Sequence, residues 1–341
     1  MSASTGTLLL QKSDVVDLLS LEECIAAVEA AFRQHGEGRT PSPGILGMPA
    51  TDGGFHIKTA LLGTSPAYFA AKLNGNFFHN HRFAMPNIQG LIVLCDAANG
   101  YPLTVMDSIE ITILRTGAAT AVAAKHLARP DSKVATICGC GNQGRIQLRA
   151  LLHVLPLEHV HAFDIDESVA REFASEFTTK LGIAVQTVKE PDAAARKSDV
   201  CVTCTPAKKY FLDSDCIAPG TFVAAVGADN EEKQELAPEL LAANKIVTDV
   251  LKQCAEIGDL HHAIAKGLMT PGDVHAELGE VVAGKKAGRT SEEEITIFDS
   301  TGTALQDVAA AALVYERAME SGRGTRFRFD AATREQSARH L

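Results

Sequence analysis

The sequence predicts an α/β protein: a parallel sheet flanked by helices, joined to an α+β unit built from both ends of the chain. Three observations predict it. From residue 133 to residue 298, short apolar runs alternate with helix-like segments, as in repeated βαβ units. A glycine-rich loop, Gly139-Cys140-Gly141-Asn142-Gln143-Gly144, lies between one of those apolar runs and a helix. Between residues 55 and 106, β-like runs follow one another without intervening helices. The 341 residues suit two units, 1–125 completed by 306–341, and 126–305.

The first element is a helix over 14–35, where Val15, Leu18, Leu19, Ile25, Val28 and Phe32 fall near helical spacing and Ser20 with Glu23 forms a capping box. The turn-formers of 39–49 break it. Strands follow at 55–62, 68–74 and 90–95, and Asn99-Gly100 makes a tight turn into 102–106. The alanine-rich stretch 109–127 is a long helix leading into the second unit. There, strands at 133–138, 160–163, 200–204, 222–226, 246–250 and 295–298 alternate with helix-like or turn-rich segments, including helices at 143–155 and 168–181. A last helix, 307–319, packs back on the first unit.

Composition narrows the function. Apolar residues are 46% and charged residues 22%, the balance of a soluble globular protein. A net charge of −10 argues against nucleic acid or an anionic membrane as the main partner. No signal peptide and no membrane-spanning run is expected. The eight scattered cysteines read as buried free thiols in a reducing, cytoplasmic compartment. Cys138-Gly139-Cys140 lacks a second ligand pair, so no metal is expected.

The context of the glycine loop makes it a dinucleotide motif of Rossmann type. Gly139 permits the tight turn, and Gly141 lets the backbone approach a pyrophosphate at the helix N-terminus. Gly144 completes the pattern. Asp164 closes the next strand, placed to bind the ribose hydroxyls of NAD. No arginine stands in 163–166 to hold a 2′-phosphate, which favours NAD over NADP. The alternative is a structural glycine turn beside a solvated aspartate. The segments 203–206 and 225–229 follow later strands and are placed to line the same cleft.

Asp229 is the candidate for acid–base work, with a helix N-cap as the alternative. Lys58 and Lys72 stand in strand-like runs; facing inward they form an anion site, facing outward they are solvated. Arg115 is a phosphate or carboxylate donor, or a surface helix arginine. His79, His81, His261 and His262 read as surface or loop residues.

Several segments, in this order and spacing, resemble the ornithine cyclodeaminase/μ-crystallin family. They are Lys72-Leu73-Asn74 with Asn80, Asp107 through Ala119 (with Leu114-Arg115-Thr116-Gly117-Ala118-Ala119), the glycine loop, Val226-Gly227-Ala228-Asp229, and Phe298 through Asp307 (with Phe298-Asp299-Ser300-Thr301-Gly302). The resemblance runs from about Val15 to Ala318. It implies a homodimer in which a Rossmann domain binds a nicotinamide cofactor and the other domain makes the dimer contact. It implies hydride transfer between nicotinamide and the α-carbon of an amino or imino acid.

Position by position, Asp229 looks like the catalytic aspartate and Lys72 the lysine beside the substrate carboxylate. Arg115 and Asn87 look like cofactor or substrate-carboxylate contacts, and Thr301 a substrate contact. Asn142, Gln143, Asp164, Thr205, Val226, Gly227 and Ser300 look like NAD contacts. One departure stands out. Many members carry an arginine on the first strand, two residues after a proline, where this chain has Pro43-Gly44-Ile45; Lys58 is expected to take over part of that clamp. The expected activity is an NAD-dependent imino-acid reductase or amino-acid dehydrogenase acting on a small amino or imino acid. A cyclodeaminase using bound NAD⁺ catalytically is the alternative, and a non-enzymatic nicotinamide-binding protein is the alternative of another class.

Overall fold

The computed structural model describes residues 6–63, 65–77 and 79–329. Its frame is two large sheets. One is seven-stranded, in the order Thr325–Phe327, Thr7–Leu10, Pro102–Asp107, Ile88–Asp96, Tyr68–Phe77, Gly53–Leu62, Gly44–Ala50. Its neighbours are antiparallel except Thr7–Leu10 and Pro102–Asp107, which run parallel. Period-2 alternation divides its faces. Ala60, Leu62, Ala70, Ile92, Leu94 and Met106 are buried on the inner face, while Leu46, Met48, Phe55, Leu73 and Leu91 are exposed on the outer.

Helices cover the inner face. Ala304–Ser321 packs on the strands Gly53–Leu62 and Tyr68–Phe77 and on the helix Leu21–Gly36. Its run Ala309-Ala310-Ala311-Ala312 is buried, so small side chains set a close approach. Ile109–Leu127 is buried along most of its length and bridges the two sheets. At Gly117 it meets the helix Asn142–Leu152, where an added Cβ would lie 2.8 Å from Ile146 Cγ1. The contributions expected from residues 1–5 and 330–341 lie outside the described residues.

The second sheet is eight-stranded and all parallel, in the order Ala276–Glu277, Lys245–Thr248, Thr296–Asp299, Phe222–Ala225, Val200–Thr203, Val134–Cys138, His159–Phe163, Ala184–Thr187. The chain first winds outward from Val134–Cys138 through two strands, then returns to its other side at Val200–Thr203. The strand order reverses there, and the crevice at the carboxyl ends of these strands is where such sheets bind ligands.

Several expectations are corrected. The 14–35 helix is two helices, Lys12–Leu18 and Leu21–Gly36. Leu19 adopts an extended backbone between them, and the Ser20 side chain caps the second by accepting from Glu23 N. Within 39–49 the segment Gly44–Ala50 is a strand with every residue exposed; Pro and Gly are tolerated there because it is the sheet edge. The Asn99-Gly100 turn is wider than a two-residue hairpin, closed by Asp96 N donating to Tyr101 O at 2.9 Å, with Gly100 at φ 77°. Strands of two to five residues, such as Thr7–Leu10, Lys208–Leu212, Gln234–Leu236 and Ala276–Glu277, carry too few residues for periodicity to register.

Candidate active site

At the crevice, the three glycines of the loop serve different ends. Gly139 has φ 98°, a left-handed conformation, and a Cβ there would lie 2.8 Å from Cys204 O. Gly144 lets the helix sit on the loop: a Cβ would lie 2.0 Å from Gly139 O. Gly141, by contrast, caps the helix Asn142–Leu152 with nothing among the described residues within 4 Å of its would-be Cβ. The backbone is therefore open to a ligand at the helix N-terminus. Asp164, just past the strand His159–Phe163, steadies the loop: its Oδ2 accepts from Cys140 N at 2.8 Å and its Oδ1 from Asp166 N at 3.0 Å. Among the described residues, Gln143 Oε1 is buried and has no hydrogen-bond partner.

Two further strands end along the same edge of the parallel sheet. Thr205 follows Val200–Thr203, and Val226-Gly227 follows Phe222–Ala225. Beyond them, Asp229 keeps 44% of its side chain exposed, and its Oδ1 accepts from Lys233 Nζ at 2.7 Å. Burial raises the affinity of this carboxylate for a proton, but Lys233, then Lys58 and His56, outweigh it and hold the pKa below the usual range. The N-cap alternative for Asp229 is not met, because no helix of the described residues begins there.

Lys58 and Lys72 are directly opposite each other on adjacent antiparallel strands, on the inner face. Lys72 is 3% exposed. Its Nζ donates to Asp307 Oδ1 at 2.8 Å and lies 2.8 Å from Oδ2. Arg115, also buried, places Nε 3.0 Å from Asp307 Oδ1 and donates from Nη1 to Gln306 Oε1 at 2.6 Å. One carboxylate thus holds two cations, and two buried like charges remain close only because it does. Lys58 Nζ donates to the carbonyls of Thr301 at 2.9 Å and Gly302 at 2.6 Å, tying the two sheets together.

Ser300 and Thr301 are both buried. Ser300 Oγ donates to Asp249 Oδ2 at 3.0 Å, and Thr301 Oγ1 accepts from Gln253 Nε2 at 2.7 Å. Thr301 therefore meets Lys58 through its backbone, not its hydroxyl. Asn87 is exposed, and its carbonyl accepts from Phe77 N at 2.8 Å.

The structure adds residues that sequence reasoning left without a role. Asp307 looks in sequence like an ordinary acid in the first turn of a helix. His56 shares the inner face with Lys58, and Lys233 lies inside a polar run. His262 Nε2 lies 2.8 Å from Lys233 O. Among the described residues, no group of three or more His, Cys, Asp or Glu is placed to hold a metal ion.

The model of the ornithine cyclodeaminase/mu-crystallin family matches residues 5–322. The chain belongs to this family. Within it, the chain is 40% identical to an alanine dehydrogenase of Archaeoglobus fulgidus over 323 residues, 95% of this chain and 98% of the relative. Among solved structures, an archaeal alanine dehydrogenase dimer with bound NAD superposes with TM-score 0.91 at 40% identity, covering 95% of this chain and 99% of the other. The Δ1-pyrroline-2-carboxylate reductase of Thermococcus litoralis, in complex with NADH and L-proline, superposes with TM-score 0.89 at 36% identity, covering 94% and 100%. Where the family's first-strand arginine is expected, Ile45 stands directly opposite Lys58 on the neighbouring strand.

Proposed function

We propose that this chain is an NAD(H)-dependent imino-acid reductase or amino-acid dehydrogenase acting at the α-carbon of a small amino or imino acid. One observation carries the proposal. The parallel sheet delivers an anionic, half-open carboxylate, Asp229, opposite cations of the other sheet, with the glycine loop beside them.

The residues fit a dinucleotide. Gly141 leaves room for a pyrophosphate at a helix N-terminus, and Asn142 and Gln143 open that helix, Gln143 with an oxygen unpaired among the described residues. Asp164 would meet the ribose, and the neighbouring Ile165, 96% exposed, would offer an apolar face to the adenine. Thr205, Val226, Gly227 and Ser300 would border the nicotinamide end. When bound, the nicotinamide supplies or accepts the hydride.

The chain's own residues do the rest. Lys72 and Arg115, already paired by Asp307, hold the substrate carboxylate, and Lys58 adds a third positive charge from the next strand. Asp229, ionised at neutral pH, accepts a hydrogen bond from the protonated imine nitrogen and stabilises its charge. Fixing both ends of a small imino acid orients its α-carbon.

Residues 1–125 with 306–341 serve in this scheme as the substrate and dimerisation domain, and 126–305 as the NAD domain. The dimer forms through the outer sheet face, where Leu46, Leu73 and Leu91 lie in one cross-strand row at 55%, 45% and 51% exposure. Covering the exposed half of each such side chain yields about 0.7–1.5 kcal/mol. No helix among the described residues is long and apolar enough to cross a membrane, and we place the protein in the cytoplasm.

The test is NADH oxidation at 340 nm with ammonia plus pyruvate, glyoxylate or oxaloacetate, and with preformed cyclic ketimines. Steady NADH loss with one of them is expected. Ammonia release from ornithine or lysine under catalytic NAD⁺, with no NADH loss across the panel, would instead make it a cyclodeaminase.

A further inference from the structure

We infer that Glu235 is a positioning residue that closes the loop carrying Asp229 and holds it in register with the cofactor-side loop at Thr205. Glu235 is fully buried in the short strand Gln234–Leu236. Its Oε1 accepts from Thr205 N at 2.6 Å and from Thr205 Oγ1 at 2.8 Å. Its Oε2 accepts from Gly227 N at 2.9 Å. One carboxylate therefore grips the ends of two adjacent parallel strands, on the side where the cofactor would lie.

The bond to Gly227 also makes residues 227–235 a closed ring, because the last residue's side chain returns to the first residue's amide. Asp229 sits in that ring, braced across it by Lys233 at 2.7 Å. From outside, His262 holds Lys233 O, and Asp259 Oδ1 accepts from Glu235 N at 2.8 Å and Leu236 N at 3.0 Å. Gly227 is shaped to this arrangement: a Cβ there would lie 2.4 Å from Glu235 Oε2. The strand itself is set by pairing with Lys208–Leu212, which leaves Thr205 within reach. Glu235 touches neither reacting atom in this scheme; it acts through Thr205, Gly227 and the ring.

The inference rests on Asp229 facing the reacting atoms, so its test has an arm independent of turnover. In Glu235→Gln one oxygen becomes an NH₂ facing a donor. Glu235→Asp keeps the charge but is one methylene too short to span both loops. Amide hydrogen exchange of the ligand-free variants is expected to accelerate at Thr205 and across 226–234, with the other parallel strands unchanged. With an imine that the wild type reduces, kcat is expected to fall about 10- to 100-fold in both variants, while KM for the imine moves less than about threefold.

Unchanged exchange at both loops would overturn the inference, as would restoration of kcat by Glu235→Asp. So would a lowered thermal midpoint with exchange rising evenly over the whole sheet and kcat per folded molecule intact, which would make Glu235 a simple stabiliser. If the wild type turns over no imine at all, the proposed function fails, and the exchange measurement still decides the role of Glu235.

Discussion

In the proposed scheme, Lys72 is the residue through which pH is expected to act on this site. Burial pulls its pKa down; Asp307 opposes that, Arg115 and Lys58 add to it, and the result is about 7. An unperturbed lysine titrates near 10.4. In the proposed scheme Lys72, charged below its pKa, helps to hold the substrate carboxylate; above it that contribution is lost and only Arg115 and Lys58 remain. For the imino acid, kcat/KM is expected to be level below about pH 7 and to fall toward tenfold per unit above it. In Lys72→Met that limb should vanish, leaving a low, flat profile. A wild-type profile level to pH 9 would show that Lys72 does not titrate there. Lys72 stood out in sequence because a charge inside an apolar strand is unusual, whereas Arg115, within the helix Ile109–Leu127, and Asp229, past a strand end, each kept an ordinary alternative until the family resemblance singled them out. Asp307 and Glu235 did not stand out, because an acid in a helix's first turn or in a Glu- and Lys-rich run looks solvated. Only tertiary structure, by bringing residues 72 and 307 within 2.8 Å, gives Asp307 its role.

At the scale of elements, the glycine loop separates packing from ligand approach. Gly144→Ala forces a Cβ against Gly139 O, a backbone atom, and is expected to destabilise the fold by about 1–3 kcal/mol or more. Gly141→Ala meets nothing within 4 Å and should leave the thermal midpoint near wild type while weakening NADH binding. Thermal unfolding and fluorescence titration of the two variants check this; a Gly144→Ala protein as stable as wild type would contradict the packing described. The βαβ alternation and the long alanine-rich helix were readable because they are long or strongly periodic. The break at Leu19 was not, since Leu18 and Leu19 are both buried and both fit one apolar stripe. The edge strand Gly44–Ala50 was hidden by its own turn-formers.

At the scale of the molecule, the two sheets divide the labour. The parallel sheet supplies the glycine loop and Asp229, the other supplies Lys58 and Lys72, and the helix Ala304–Ser321 returns Asp307 between them. The outer face of the seven-stranded sheet, where Leu46, Leu73 and Leu91 are exposed, is the proposed dimer surface. Leu73→Asp, at the centre of the exposed row, is expected to turn a dimer into a folded monomer in light scattering. An unchanged dimer would place the interface elsewhere. The two-sheet plan was legible from the change in spacing between strands, whereas strand order was not, because register is set across the chain.

The proposed chemistry converges on Asp229, and its replacement is the most direct measurement. In Asp229→Asn, single-turnover hydride transfer from NADH to the accepted imine is expected to slow about 100-fold or more, with NADH affinity unchanged. A rate within about threefold of wild type would show that this carboxylate does not face the reacting nitrogen.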